Sequence, residues 1–550
     1  MHSTLRRQLL DFVSVASIPT LFLFTLQRIY SLSAPSSRTT ITLQWIATIL
    51  CALLLFAPSL GLLRRKPVAS ALHSISEPPL VPSYLPWLGC AITYLMGPAN
   101  FLRTCSQRYG MTFKFLIGGN YVVAISSPTA IANFLRDRTG VFDVVDYQLI
   151  PLLSNLTDPS RNQYIYEIVE QKALVAANHG LSQRNLPKVS TTVNYEIFKT
   201  LGNVVGKGIQ LPVLDFVQRS LYVAVSNSLL GSHFPSLATF DDFITFDDGA
   251  PSLLRKMNFL ARPAYRARER LISQFARYID TAWREEEGGG GSLEGASEVM
   301  SDIVRSMKNS ELTKDEAARL MSSFFWGSHT NMMRTTTWMV RHLATDSILL
   351  SRIQRELQAA VDSKFYDAQS ILHMHPRDLD GPEFALLTSF VKEVLRMNML
   401  PTSIRVAVRD TTIASDNGEF IIIRKGEQVL ANLYGLHHAP HIHDDPDAFR
   451  VDRFLNVSTE EMRQKKTLST FASGQHMCAG RHFAMHTMRM FVIQLLHFYD
   501  IKAAPLSSGV SPSLPPVDRF SFITVTDAAK DIEISIQRRD SVPCDIVGTE

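Results

Sequence analysis

The chain has 550 residues, 46% of them hydrophobic, and a formal net charge of +4 spread over scattered lysines and arginines. That composition supplies a sizeable core and excludes disorder over most of the length, and the scattered charge leaves no electrostatic footprint for nucleic acid. The five cysteines (Cys51, Cys90, Cys105, Cys478 and Cys544) are odd in number and lack C-x-x-C spacing, which excludes a disulfide framework and a cysteine-rich zinc site and points to a reducing compartment.

In chain order, residues 1–66 read as a membrane anchor. The stretch 41–63, "ITLQWIATILCALLLFAPSLGLL", runs 23 residues without a charge, and a hydrocarbon layer needs about 20 helical residues. A second apolar segment, about 9–29, centres on a charge-free run at 12–26 that is interrupted by Pro19 and preceded by Arg6, Arg7 and Asp11. Either one or two spans fit. The positive-inside rule applied to Arg64, Arg65 and Lys66 places everything downstream in the cytosol. A cleaved signal peptide competes, but two segments and a basic stop differ from one short apolar region with a cleavage site.

Residues 67–90 read as a proline-rich hinge, with Pro78, Pro79, Pro82 and Pro86 disfavouring helix. Two β-rich runs flank Gly118, Gly119 and Asn120 within 111–126, a hairpin signal. From about 160 to 400 the pattern is mostly helical, with a charged, glycine-rich surface loop at 284–298. Strand signal returns over 412–434 around Asp416, Asn417 and Gly418, followed by a long coil over 435–456 and a helix after Cys478. No linker divides the stretch 91–540, which reads as one mainly α domain with small β-sheets. Residues 541–550 form a C-terminal tail.

The stretch "FASGQHMCAGRHFA" holds Phe471, Gly474, Cys478 and Gly480 in an F-x-x-G-x-x-x-C-x-G arrangement just ahead of the helix. A helix start favours thiolate over thiol, and flanking glycines let backbone approach a flat partner. A haem iron uses such a ligand: the porphyrin supplies four nitrogens and a thiolate the fifth bond. Taken alone, a single cysteine between glycines is more often a buried small residue; a nucleophile with His476 or His482 is a further alternative, although neighbours two before and four after need not point at the sulfur.

These residues, with several motifs in order, resemble the cytochrome P450 family from about residue 76 onward. Glu393 and Arg396 in "EVLR" match the family's E-x-x-R pair, and Arg453 in "FRVDRFL" matches the coil residue that joins them in a buried network bracing the cysteine loop. The resemblance implies the P450 fold with haem b bound, Cys478 as axial iron ligand and Arg405 facing a haem propionate. His476 stands where relatives have a second propionate-binding arginine. His179 and Arg184 match the family's W-x-x-x-R only loosely, leaving a polar helix surface as the other reading.

Thr313 and Glu316 form a capping-box pattern at the start of the oxygen-side helix. Where the family has an acid followed by threonine, this chain reads Gly327, Ser328, His329, Thr330, Asn331. Relatives keep a spacing of sixteen from the threonine to the proline that starts the next helix, and starting that helix at Ser347 puts Asn331 in the threonine place and Thr330 in the acid place. His329 reads equally as a pocket wall or a core histidine. "WGSHTN" and the cysteine loop resemble sterol 7α- and 12α-hydroxylases and prostacyclin synthase, in which asparagine replaces the threonine.

The resemblance therefore implies a membrane-anchored monooxygenase of the endoplasmic reticulum that oxidises a bulky terpenoid, sterol or polyketide. Electrons come from NADPH through cytochrome P450 reductase, and Asn331 and Thr330 manage oxygen and protons. The divergent oxygen motif and two apolar segments also resemble fungal enzymes of secondary metabolite biosynthesis. The alternatives are a haem-thiolate isomerase that rearranges a peroxide without reductase and a non-catalytic haem-binding protein.

Overall fold

A computed structural model describes residues 75–539 except 84, 138–140, 145, 157, 206–208, 232, 255–260, 288–294, 365–367, 401–402, 417, 459, 463–466, 473, 475–476, 506–511 and 522–524. The two apolar N-terminal segments and the tail at 541–550 lie outside the described residues. Among the described residues no helix is long and apolar enough to cross a membrane. Among the described residues the architecture is mainly helical with three small sheets. Its strands are β1 (Ile75–Ser76), β2 (Thr112–Ile117), β3 (Asn120–Ile125), β4 (Phe142–Val144), β5 (Ile209–Pro212), β6 (Ile404–Ala407), β7 (Thr411–Ala414), β8 (Phe420–Ile423), β9 (Gln428–Ala431), β10 (Tyr499–Ala503) and β11 (Glu533–Arg538).

The chain divides into two compact units. Among the described residues, the smaller takes those from 75 to 144, those within 251–262 and those from 403 to 436. It holds a five-stranded sheet in the order β2-β3-β9-β6-β4 and a three-stranded sheet, β1-β8-β7. The predicted hairpin forms by antiparallel pairing of β2 and β3, with Ile117 opposite Asn120. Gly118 and Gly119 make the turn at φ 54° and 80°, the left-handed geometry that matches strand twist, so Asn120 opens β3 instead of sitting in the turn. Helix α1 (Pro98–Tyr109) sends Leu102 and Cys105 into a core with Phe113, Phe115, Val122, Ala124 and Leu430. Burial pushes the Cys105 thiol up to about 11, with nearby Cys90 adding to the rise, so Cys105 behaves as a small apolar core residue.

The proline-rich lead lies along β2. Val81 N donates to Lys114 O at 2.7 Å, and Lys114 N donates to Pro79 O at 2.8 Å. Lys114 Nζ is tied to Glu427 at 2.8 Å in a buried pair. Where the lead turns at Gly89, φ is 61° and an added Cβ would stand 2.0 Å from Leu116 O. Gly89→Ala is therefore expected to destabilise this unit by at least about 1–3 kcal/mol, read as a lowered unfolding temperature.

The larger unit takes Asp146–Ala250, Pro263–Leu400 and His437–Glu550. Its helices include α3 (Pro187–Val205), α4 (Val213–Leu230), α5 (Ser236–Leu254, of which residues to Ala250 belong here), α6 (Lys314–Thr345), α7 (Ser347–Lys364), α8 (Ala385–Asn398) and α9 (Arg481–Phe498). The remaining labelled helix, α2 (Pro128–Leu135), belongs to the smaller unit. Strand β5 interrupts the stretch read as helical and pairs antiparallel with β11, which pairs with β10.

The longest helix, α6, has 32 residues, so it spans about 48 Å. The capping box forms as read: Glu316 N donates to Thr313 Oγ1 at 3.2 Å and Thr313 N donates to Glu316 Oε2 at 2.8 Å. Asp346 ends the helix, and its Oδ1 accepts from Ile348 N and Leu349 N at 3.0 and 2.9 Å. That cap starts α7 at Ser347, where the spacing argument put it. Helices α4, α7, α8 and α9 all pack against α6.

Candidate active site

Two stretches of the larger unit carry chemistry, the loop before α9 and the middle of α6. In the loop, Cys478 N donates to Phe471 O at 2.9 Å and Met477 N to Gly474 O at 3.4 Å, closing a tight turn. Ala472 at φ 55° sits in the left-handed region, which strains a residue with a Cβ, while Gly474 at φ 74° adopts the same region freely. Gly480 is the N-cap of α9, and its carbonyl accepts from Ala484 N at 2.8 Å. The Cys478 side chain is exposed. Burial by the surrounding protein still pushes its thiol up, and the Gly480 N–H and the Arg481 charge offset only part of that. Coordination to a metal would favour the thiolate. Residue 476, the predicted propionate histidine, lies outside the described residues.

Glu393 and Arg396, on α8, are both fully buried. Arg396 grips the carboxylate from Nε at 2.7 Å and NH2 at 2.9 Å, Arg453 adds Nε contacts at 3.0 Å to both oxygens, and Arg450 N donates to Oε1 at 2.9 Å. Burial would push the Glu393 carboxyl up, but Arg396, the Arg450 N–H and Arg453 outweigh it and hold it below the usual range. The network reaches the loop through a residue the sequence did not single out. Arg396 NH1 donates to His437 O at 2.7 Å, and Ser469 N, two residues before Phe471, donates to His437 Nε2 at 3.1 Å.

On α6, Gly327 and Asn331 are exposed in a helix whose remaining middle is largely buried. They lie one turn apart on one face. A Cβ on Gly327 would meet nothing within 4 Å. Asn331 Oδ1 accepts from Val525 N at 3.2 Å. Thr330, about 100° around the helix, is 1% exposed and donates its hydroxyl to Asp247 Oδ1 at 2.9 Å. His329 is a core histidine: it is fully buried against Tyr222, Phe243 and Phe325, and its Nε2 lies 3.2 Å from Ser226 Oγ. Asp247 escaped the sequence reading because nothing local marks it.

In the smaller unit, Arg405 on β6 is 4% exposed and stacks on the Phe134 ring. Its NH1 and NH2 donate to Phe134 O and Leu135 O at 2.8 and 3.2 Å, a cation at the C-terminal end of α2. His179 and Arg184, in the larger unit, are both exposed, and His179 bonds Asn185.

The cytochrome P450 family model matches residues 78–520. The chain is a member of the cytochrome P450 family. Among curated relatives, this P450 is 24% identical to cytochrome P450 7A1 of Oryctolagus cuniculus over 535 residues, covering 88% of this chain and 98% of that one. It is 23% identical to the 7-alpha-hydroxycholest-4-en-3-one 12-alpha-hydroxylase of the same organism, covering 82% and 91%. It is also 24% identical to prostacyclin synthase of Rattus norvegicus, covering 78% and 87%. Cholesterol 7-alpha-monooxygenase of Cricetulus griseus matches at 23% identity, so the family's monooxygenases are among the relatives.

A P450 implies haem, and the site chemistry fits that group. Cys478 offers an exposed thiol just ahead of a helix, and a cysteine thiolate is one of the protein ligands that haem iron takes.

Several histidines of this P450 are buried neutral. Burial pushes His329, His342 and His443 down to about 4 and His486 to about 3, and it holds His437 well below the ordinary 6.5. Such groups contribute stability above about 6.5 that is lost as pH falls toward their folded values, because the unfolded chain binds the protons first. Unfolding temperature is expected to fall steadily between pH 6.5 and 4 and to stay level just above 6.5.

Proposed function

We propose that this P450 hydroxylates or otherwise oxidises a bulky lipophilic small molecule, a terpenoid, sterol or polyketide, in a fungal secondary-metabolite pathway. Residues 1–66 anchor it in the endoplasmic reticulum membrane, the domain at 91–540 faces the cytosol, and NADPH-cytochrome P450 reductase is the electron donor. The observation that carries the reading is the open face of α6, where Gly327 leaves room beside Asn331 in a stretch of helix otherwise largely buried. The sterol hydroxylases among the relatives support the substrate class.

In this reading Cys478 ligates the iron, Phe471, Gly474 and Gly480 shape the loop around it, and Arg405 with His476 bind the propionates. Bound haem supplies dioxygen activation and insertion of one oxygen atom into a C–H bond. Glu393, Arg396 and Arg453 hold the loop. Val525 N–H holds the Asn331 oxygen, so Asn331 presents its Nδ2 hydrogens as donors toward oxygen or an ordered water. Thr330 commits its proton to Asp247 and steadies the helix turn beside Asn331.

Prostacyclin synthase among the relatives favours a second reading, a peroxide isomerase needing no reductase. Microsomes with and without reductase, supplied with sterol, diterpenoid and polyketide panels, separate the two. Product that requires both NADPH and reductase is expected; product from a peroxide substrate without either overturns the monooxygenase reading. Asn331→Ala is expected to keep the reduced, CO-bound band of haem-thiolate while lowering product per NADPH several-fold.

A further inference from the structure

The Asn331 carboxamide has two ends of nearly equal size, one accepting and one donating, and which end faces outward decides what it can do to a ligand. Val525 N–H is a donor only, so its 3.2 Å contact fixes Oδ1 inward. The setting of Asn331 therefore depends on where the 525–527 segment sits.

That segment is docked on α6 and α8 by polar contacts. Trp338 Nε1 donates to Thr526 O at 2.7 Å, Thr526 N donates to Asn398 O at 2.9 Å, and Thr526 Oγ1 bonds Asn398 Oδ1 at 2.8 Å. It also carries a charged tie, Asp527 Oδ1 3.0 Å from Arg334 Nε. Arg334 sits on α6 one turn beyond Thr330 and is 7% exposed. It is held in turn by Asp247 Oδ2 at 2.9 Å. Asp247, on α5 and 2% exposed, also accepts from Trp326 Nε1 at 2.7 Å and from Thr330 at 2.9 Å.

Trp326, Thr330 and Arg334 are spaced by four, so one carboxylate clamps three successive turns of the same stripe. The face carrying Gly327 and Asn331 is the next one round. No Asp or Glu occurs in α6 after Glu316, so this carboxylate has to come from another helix.

We infer that Asp247, Arg334 and Asp527 form a positioning bridge that, through the Val525 N–H, holds the Asn331 carboxamide with its N–H donors facing the oxygen-side pocket. The inference rests on the monooxygenase reading for its consequence but not for its geometry. Asp247 and Arg334 set the rotation of α6, and Asp527 sets the segment that reads the amide's acceptor end. Without the bridge the amide is free to reverse, which exchanges donors for an acceptor at the site of oxygen chemistry.

The test is a double-mutant cycle in the full-length protein in reductase-containing microsomes, using Asp527→Asn, Asp247→Asn and Asn331→Ala. Asp527 is 44% exposed, so its substitution leaves the fold standing if Asp247→Asn fails to fold. Two readouts are taken, product formed per NADPH consumed and amide hydrogen exchange over 525–527. Asp527→Asn is expected to lower product per NADPH about five-fold in the native background and by less than about two-fold beside Asn331→Ala, since residues acting as one unit are non-additive. Exchange at 525–527 is expected to rise in both Asp527→Asn and Asn331→Ala. Equal loss in the two backgrounds, or unchanged exchange, overturns the bridge. If the unmodified protein forms no NADPH-dependent product, the monooxygenase reading fails, and the exchange result alone still decides the bridge.

Discussion

Replacing Cys478 by serine is expected to abolish the haem-thiolate band of the reduced, CO-bound protein and to take product formation below detection. A serine hydroxyl keeps its proton at neutral pH, so the iron loses both the fifth ligand and the electron push that favours O–O cleavage. The loop itself should survive, because Cys478 enters its turn through backbone N–H to Phe471 O, which serine retains. Cys105→Ser is the matched control. That thiol is buried in the smaller unit's core, so its substitution costs some stability and leaves the band in place. A thiolate band that persists in Cys478→Ser would remove the iron from this loop.

Glu393→Gln should be the most damaging single change outside the loop. One carboxylate answers two buried guanidiniums, Arg396 with a side chain 0% exposed and Arg453 with one 7% exposed. Glutamine fills the same volume and carries no charge, leaving two buried cations uncompensated at a cost of about 3–5 kcal/mol. The damage should reach the cofactor, because Arg396 holds His437 O and His437 Nε2 holds Ser469 N at the entrance to the cysteine loop. Lower unfolding temperature and lower haem retention are expected together. Arg453→Lys should be milder, since a lysine still neutralises Glu393 while losing the carbonyl contacts to Asp444, Asp445 and Ala448. Unchanged unfolding temperature and haem retention in Glu393→Gln would show that the network does not brace the loop.

What the sequence made legible was local. The β2–β3 turn follows from two adjacent glycines, and the start of α6 from a threonine and a glutamate three apart. Each signal lies within a few residues of the element it shapes. Glu393, Arg396 and Arg453 all entered through resemblance, because a glutamate and an arginine three apart on one helix face are commonplace and usually solvated.

Features assembled across the chain were not legible. Asp247 meets Trp326, Thr330 and Arg334 across 79, 83 and 87 residues, and no periodicity within α5 distinguishes it from neighbouring Asp248. Thr330 looked like a group for oxygen chemistry when read along one helix, yet its hydroxyl faces a carboxylate from another. His329 stood open between two readings until its aromatic neighbours on α4, α5 and α6 were in view. His437 was one histidine among several in a polar coil, and its link to Ser469 depends on a chain reversal over 32 residues.

Oxidation with isotopically labelled dioxygen tests the central claim most directly. The protein, with reductase and NADPH in microsomes, is given its best substrate under labelled dioxygen, and the product is analysed by mass. One labelled oxygen atom per product molecule, with NADPH consumed in step, is the expected result. Product that carries no label and forms without NADPH consumption would contradict the monooxygenase assignment and leave Cys478 and Asn331 serving a rearrangement.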